Sequence, residues 1–144
     1  MQGVEQKSDE KLTLLELVLR VQGEFRRCLE PIRVTPLQAG VILYLQRHID
    51  AKLTDAAAAL CVRVPTLSEV VKNLVRKRWV NKRRSVTDTR VVHLRLSRRG
   101  LVITRKFENQ VQRVRTGVTA NKDLTAAGLT RLYRVPVQHK EASS

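Results

Sequence analysis

One stretch of this chain, "VVHLRLS", breaks from helical spacing and alternates apolar and polar residues with a period of two, Val92, Leu94 and Leu96 being interleaved with His93 and Arg95. That spacing puts three apolar side chains on one face of a half-buried strand. A single strand leaves its hydrogen-bonding edges unpaired, so the chain must supply a mate. The segment "WVNKRRS", with an aromatic and a β-branched residue at its start, lies just upstream across a turn containing "VTDT". An antiparallel hairpin is therefore expected, set in a chain whose other segments repeat at helical spacing.

Those segments have clear boundaries. "LTLLELVLRVQGEFRRCLE" predicts a helix over residues 11–30, stopped by Pro31. Leu14, Val18, Val21, Phe25 and Cys28 define one apolar face, while Leu12, Leu15 and Leu19 define an adjacent one. A helix apolar on two faces in a short chain can bury one face in its own domain and the other against a partner. Thr35 and Pro36 mark the N-cap and first turn of a second helix. Thr54 is expected to cap a short Ala-rich helix, and Pro65 to open a fourth. In the fourth, Leu67, Val70, Val71 and Leu74 form the inward stripe. Thr66, Ser68, Glu69, Lys72, Asn73 and Arg76 cover the remaining surface. A short helix, a brief turn and a helix with a polar outer face form a helix-turn-helix pattern, and the hairpin adds a wing. Helical spacing resumes after Gly100 through Ile103, Phe107, Val111 and Val114, and a last short helix is expected over 121–135. The fold class is thus mainly α with a small β-hairpin, a winged helix-turn-helix.

Charge is unevenly placed. The formal net charge is +15 over 144 residues. Residues 1–62 carry eight basic and eight acidic side chains, whereas residues 63–115 carry sixteen basic and three acidic ones, Glu69, Asp88 and Glu108. One contiguous segment therefore makes the protein basic, which points to a polyanionic partner rather than to an evenly charged surface. Within residues 76–100 there are ten Lys or Arg and one acid, Asp88, two residues before Arg90.

Other chemistries find little support. Cys28 and Cys61 show no metal or redox spacing, and both are expected in the core. The three histidines are scattered, and no nucleophile–base pair, phosphate-binding glycine loop or carboxylate dyad is visible, so no enzyme and no cofactor are expected. The N-terminus does not read as a signal peptide and no run approaches a membrane span, so a cytoplasmic location without membrane contact is expected. The five aromatics are Phe25, Tyr44, Trp79, Phe107 and Tyr133, three of them in apolar helical stripes. They make a poor base-stacking platform, which weighs against an RNA-binding or nucleoid-type architectural protein.

The segment "DTRVVHLRLSRRG" resembles the wing of the MarR family of bacterial regulators, with Asp88, Arg90, Leu96, Ser97 and Gly100 on its Asp-x-Arg…Leu-Ser/Thr-x-x-Gly pattern. "LTDAAAALCVRVPTLSEVVKNLVRKRWV" resembles the helix-turn-helix before it, and the likeness runs from about Leu12 to Val114. The chain departs from that pattern at Arg78, where a glycine is frequent, at Glu69, where a base is frequent, and at Ala56, where a bulkier apolar residue is usual. The resemblance implies a sequence-specific regulator of transcription, often a repressor, binding duplex DNA as a homodimer and often released by a small aromatic effector. It implies that Arg90 enters the minor groove with Asp88 orienting its guanidinium. On the residues alone, Asp88 can also close a turn through an Asx hydrogen bond, and the two roles are compatible. The expected DNA-binding set is Arg63, Pro65, Thr66, Ser68, Lys72, Asn73, Arg76, Lys82, Arg83, Arg84, Asp88 and Arg90. The expected organisation is a dimerisation helix over 1–34, the winged helix over 35–100, further dimerisation helices over 101–136 and a disordered tail over 137–144.

Overall fold

The computed structural model describes the backbone of residues 5–120 and the side chains of residues 15–116. The helix expected over 121–135 and the tail over 137–144 lie outside these residues. The elements run α1 (Glu5–Leu29), a 3-10 turn (Glu30–Ile32), α2 (Pro36–Arg47), β1 (Ala51–Lys52), α3 (Leu53–Ala59), α4 (Val64–Arg76), β2 (Val80–Arg84), β3 (Val92–Leu96) and α5 (Arg98–Ala120). Mainly helical with a β wing, the architecture matches the fold class read from the sequence.

The expected hairpin forms in the register Val80↔Leu96 to Arg84↔Val92, with Val92, Leu94 and Leu96 buried. The sheet also has a third strand that sequence did not suggest. β1 pairs with β3 through Ala51↔Leu94 and Lys52↔His93. Ile49 to Thr54 alternate apolar and polar residues, but the strand itself is two residues long and runs at once into α3, so the tertiary pairing is what reveals it. It also corrects the start of α3. Lys52 is still extended and paired, and the helix begins at once with buried Leu53, leaving Thr54 inside the first turn rather than at the cap. Thr35, in contrast, caps α2 as expected. Its hydroxyl accepts from the Gln38 N–H at 3.2 Å while Gln38 Oε1 accepts from the Thr35 N–H at 3.1 Å.

The core lies between α2, α3, α4, the inner face of the sheet and α5. Val41, Ile42, Ala56, Leu67, Leu74, Leu94 and Phe107 are fully enclosed there. The enclosed Ala56 lets α3 approach its neighbours closely, which accounts for a small residue at that position. Complete burial of Phe107, with Trp79 edge-on at 6.4 Å between ring centroids, contributes on the order of 2–3 kcal/mol and ties α5 to the wing.

α5 starts at Arg98, before the boundary expected at residue 100, so Gly100 is helical and buried. A Cβ there would overlap the Trp79 carbonyl oxygen and come within 3.1 Å of Leu96 Cδ2, so glycine is what permits α5 to lie against the base of the wing. On α1, Leu29 is buried and Val21, Phe25 and Cys28 are half-buried. Val18 departs from that face. With Leu15 and Leu19 it forms a stripe exposed to more than half its area. Among the described residues, no helix is long and apolar enough to cross a membrane.

Candidate nucleic-acid interface

The turn between α3 and α4 aims the recognition helix. α3 ends in a Schellman arrangement, with the Val62 N–H bonded to Ala57 O at 3.0 Å and the Cys61 N–H to Ala58 O at 3.2 Å. Cys61 takes the left-handed position (φ 54) usually given to glycine, and its side chain is thrown outward. The expectation that Cys61 belongs to the core is therefore wrong, because the cap conformation overrides its hydrophobicity. Cys28 is half-buried.

α4 begins at Val64 with Arg63 as an extended N-cap (ψ 145) and Pro65 in the first turn, where its missing N–H costs nothing. Leu67, Val71 and Leu74 face inward. Arg63, Pro65, Thr66, Glu69, Lys72, Asn73 and Arg76 are exposed, and Ser68 is half-buried. Glu69 and Lys72 form an ion pair at 2.9 Å, one helical turn apart. The hydrogen bond from Lys72 and then its charge hold the Glu69 carboxyl below its ordinary range, with Arg76 adding to the effect. The acid thus engages one of the bases expected to meet DNA.

α4 also ends in a Schellman arrangement, with Arg78 N–H to Val75 O at 2.9 Å and Trp79 N–H to Leu74 O at 3.0 Å. Arg78 stands in the left-handed region at φ 60. The helix end therefore keeps its usual shape without glycine. Ser97 secures the junction. Its N–H donates to Trp79 O at 2.9 Å, its hydroxyl donates to Arg78 O, and its oxygen accepts from the Gly100 N–H at 3.0 Å.

The wing carries the remaining expected contacts. Lys82, Arg83 and Arg84 are exposed along β2, which is an edge strand lying beyond the core at this end of the sheet. Arg84 Nη1 donates to Thr89 O at 3.0 Å and braces the loop from within. Ser85 N–H donates to Val91 O at 2.9 Å, and Val91 N–H to Asp88 O at 3.0 Å. Asp88 Oδ1 accepts from the Arg90 main-chain N–H at 3.0 Å, an Asx turn. Its carboxylate forms no ion pair with the Arg90 guanidinium among the described residues. In the free protein, Asp88 shapes the turn from which Arg90 projects.

One feature of the wing escaped sequence reading. Asp50, left-handed at φ 55 in the turn between α2 and β1, pairs with Arg95 at 2.9 Å, and its carbonyl oxygen lies 3.2 Å from His93 Nδ1. Those contacts brace the outer face of β3 against the α2–β1 corner. The one signal was an Asp just beyond the second helix, a residue type that tolerates the left-handed region in a turn. Among the described residues, no group of three His, Cys, Asp or Glu could hold a metal ion.

The family model described as "Transcriptional regulator SarA/Rot" matches residues 26–107, the span from late α1 to Phe107. The HTH-type transcriptional repressor MdtR of Bacillus subtilis (strain 168) is 29% identical over 101 residues, covering 70% of this chain and 63% of that protein. The chain thus aligns with less than two thirds of that relative's length. Among solved structures, the transcriptional repressor CouR bound to a 23-mer DNA duplex superposes with a TM-score of 0.79 at 24% identity, over 93% of this chain and 99% of that one. A mutant MarR from E. coli complexed with operator DNA gives 0.74 at 20% identity, over 92% and 94%. The S. aureus MepR–DNA complex gives 0.74 at 21% identity, over 85% and 95%. With a matching family model that spans α4 and the wing, the chain belongs to the SarA/Rot family of transcriptional regulators, and it shares its winged-helix fold with the MarR and CouR structures.

Proposed function

We propose that this protein represses transcription by binding double-stranded DNA as a homodimer in the cytoplasm. α4 enters the major groove with Thr66, Ser68 and Asn73 toward base edges. Arg63, Lys72 and Arg76, with Lys82, Arg83 and Arg84 of β2, lie against phosphates. Arg90 reaches the minor groove from a turn set by Asp88. The observation that carries this reading is electrostatic. α4 packs against β2, and the side chains of Arg63, Arg76, Lys82, Arg83 and Arg90 are exposed without an ion pair or hydrogen bond among the described residues. Free cations on a rigid helix and strand release counterions from a polyanion without breaking an internal contact.

Dimerisation through α1 and the C-terminal helices would cover the exposed stripe of Leu15, Val18 and Leu19. The repressors named above support repression, and the DNA-bound MarR, MepR and CouR structures support duplex DNA as partner. A small aromatic effector that releases DNA belongs to the same reading through the family resemblance. The test compares duplex DNA, duplex RNA and single strands at matched salt, with sedimentation at micromolar protein. The reading expects a duplex-DNA preference, a dimer and a log–log salt slope of roughly −0.9 per neutralised phosphate. A flat salt dependence, or equal affinity for single-stranded RNA, would overturn it.

A further inference from the structure

The first turns of α5 carry a cationic face that the DNA reading leaves unused. Arg99, Val102, Ile103 and Lys106 recur at helical spacing on one side, and with Arg98 and Trp79 they line an open groove at the base of the wing. Its floor is apolar. Val102 is 64% exposed, with Leu101 beside it at 51%. Its rim is cationic, and Arg98 and Arg99 continue into an adjoining groove with Arg78 and Lys82. The side chains of Arg98, Arg99 and Lys106 have no ion pair or hydrogen bond among the described residues. The one acid of α5, Glu108, accepts a hydrogen bond from Gln46 at 2.9 Å.

Position separates this groove from the proposed DNA surface. Trp79 adjoins the Val80↔Leu96 end of the hairpin, whereas the wing tip springs from the Arg84↔Val92 end. Four strand residues at about 3.3 Å each put roughly 13 Å between those ends. Of the residues given to phosphate contact, only Lys82 borders it, through the adjoining groove, so the part lined by Trp79, Val102, Ile103 and Lys106 stays open while the tip is in a DNA groove. Its floor also selects among polyanions. A phosphate backbone gains from the rim but nothing from covering Val102 and Trp79, whereas an amphipathic peptide gains from both.

We propose that this groove docks an acidic amphipathic helical segment of a protein partner. Its Asp and Glu side chains meet Arg98, Arg99 and Lys106, and its apolar face covers Trp79, Val102 and Ile103.

Trp79 is the only tryptophan of the chain, so its fluorescence reports on the groove. The probe is a synthetic helical peptide with Leu at helical spacing and Glu elsewhere, titrated into the full chain without DNA. A scrambled peptide of the same composition and a Lys-for-Glu peptide serve as controls. Saturable binding of the amphipathic peptide is expected, weakened at least about tenfold by scrambling or by Arg99→Glu combined with Lys106→Glu. The Lys-for-Glu peptide should bind that double variant and not the parent, a rescue that a misfolded chain could not give. Adding non-specific duplex DNA should leave the peptide in place. Absent binding, equal binding of the scrambled peptide, or missing rescue would overturn the proposal. Displacement by duplex would make the groove a nucleic-acid surface, and dissociation of a dimer by Val102→Asp would assign it to a second copy. Because the titration contains no DNA, it can fail while the DNA reading stands, and the reverse also holds.

Discussion

Gly100→Ala should destabilise the protein although it adds a helix-favouring residue to α5. Alanine in place of glycine inside a helix is ordinarily favourable by about 1 kcal/mol. At this position its Cβ would overlap the Trp79 carbonyl oxygen and lie 3.1 Å from both the Trp79 carbonyl carbon and Leu96 Cδ2. That carbonyl cannot swing away cheaply, because it accepts the Ser97 N–H at 2.9 Å. Forcing a methyl against fixed backbone costs about 1–3 kcal/mol. If α5 backs away instead, the Ser97 bonds to Trp79 O and Arg78 O loosen, each worth about 1 kcal/mol. Set against the helix-propensity gain of about 1 kcal/mol, the net expectation is a loss of about 1–2 kcal/mol, which lowers Tm by roughly 3–8 °C in a chain of this length. Gly40→Ala is the control, since its Cβ would meet only Leu60 Cδ2 at 3.7 Å and should be neutral or stabilising by up to about 1 kcal/mol. Urea and thermal unfolding of both variants, followed by circular dichroism at equal protein concentration, decide the matter. A Gly100→Ala midpoint at or above that of Gly40→Ala would show that close approach to the wing is not why glycine is needed.

Arg78→Gly should raise stability by about 1 kcal/mol, because the left-handed cap at φ 60 strains any side chain; an unchanged or lower urea midpoint would reject that strain. Glu69→Gln should free Lys72, tighten duplex binding a few-fold and steepen the salt slope by about one; unaltered binding would mean the pair stays intact on DNA. Since the folded-state pKa of Glu69 is lowered, its pair with Lys72 is fully present above the ordinary carboxylate range and is lost as pH falls through the lowered value. Duplex affinity should accordingly rise at the acid end for the parent and not for Glu69→Gln, as an anisotropy titration across pH would reveal. Asp88→Asn keeps an acceptor for the Arg90 N–H and should preserve any preference for A·T-rich flanks, whereas Asp88→Ala should weaken it. Equal loss in both variants would mean that the carboxylate charge acts on the Arg90 guanidinium when DNA is bound.

The order of the helices and of the two hairpin strands was legible in the chain alone, because periods and local start signals mark them. Val92, Leu94 and Leu96 could alternate usefully only in a half-buried strand, and Thr35 with Gln38 could close a capping box without help from distant residues. The segregation of charge was equally legible, since counting needs no coordinates. Other features depended on which segments meet. β1 is two residues long and exists only because β3 offers it an edge. The identity of Gly100 follows from the Trp79 carbonyl packed against it, twenty-one residues earlier in the chain. Cys61 looked apolar enough for the core, yet a left-handed helix cap turned it outward. Asp88 could bond to a main-chain N–H or to a guanidinium at the same spacing, and the folded loop in the free protein chose the main chain. Periodicity reports the free energy of burying one face of one segment, whereas caps, short strands and close approaches depend on partners that meet only when the chain folds.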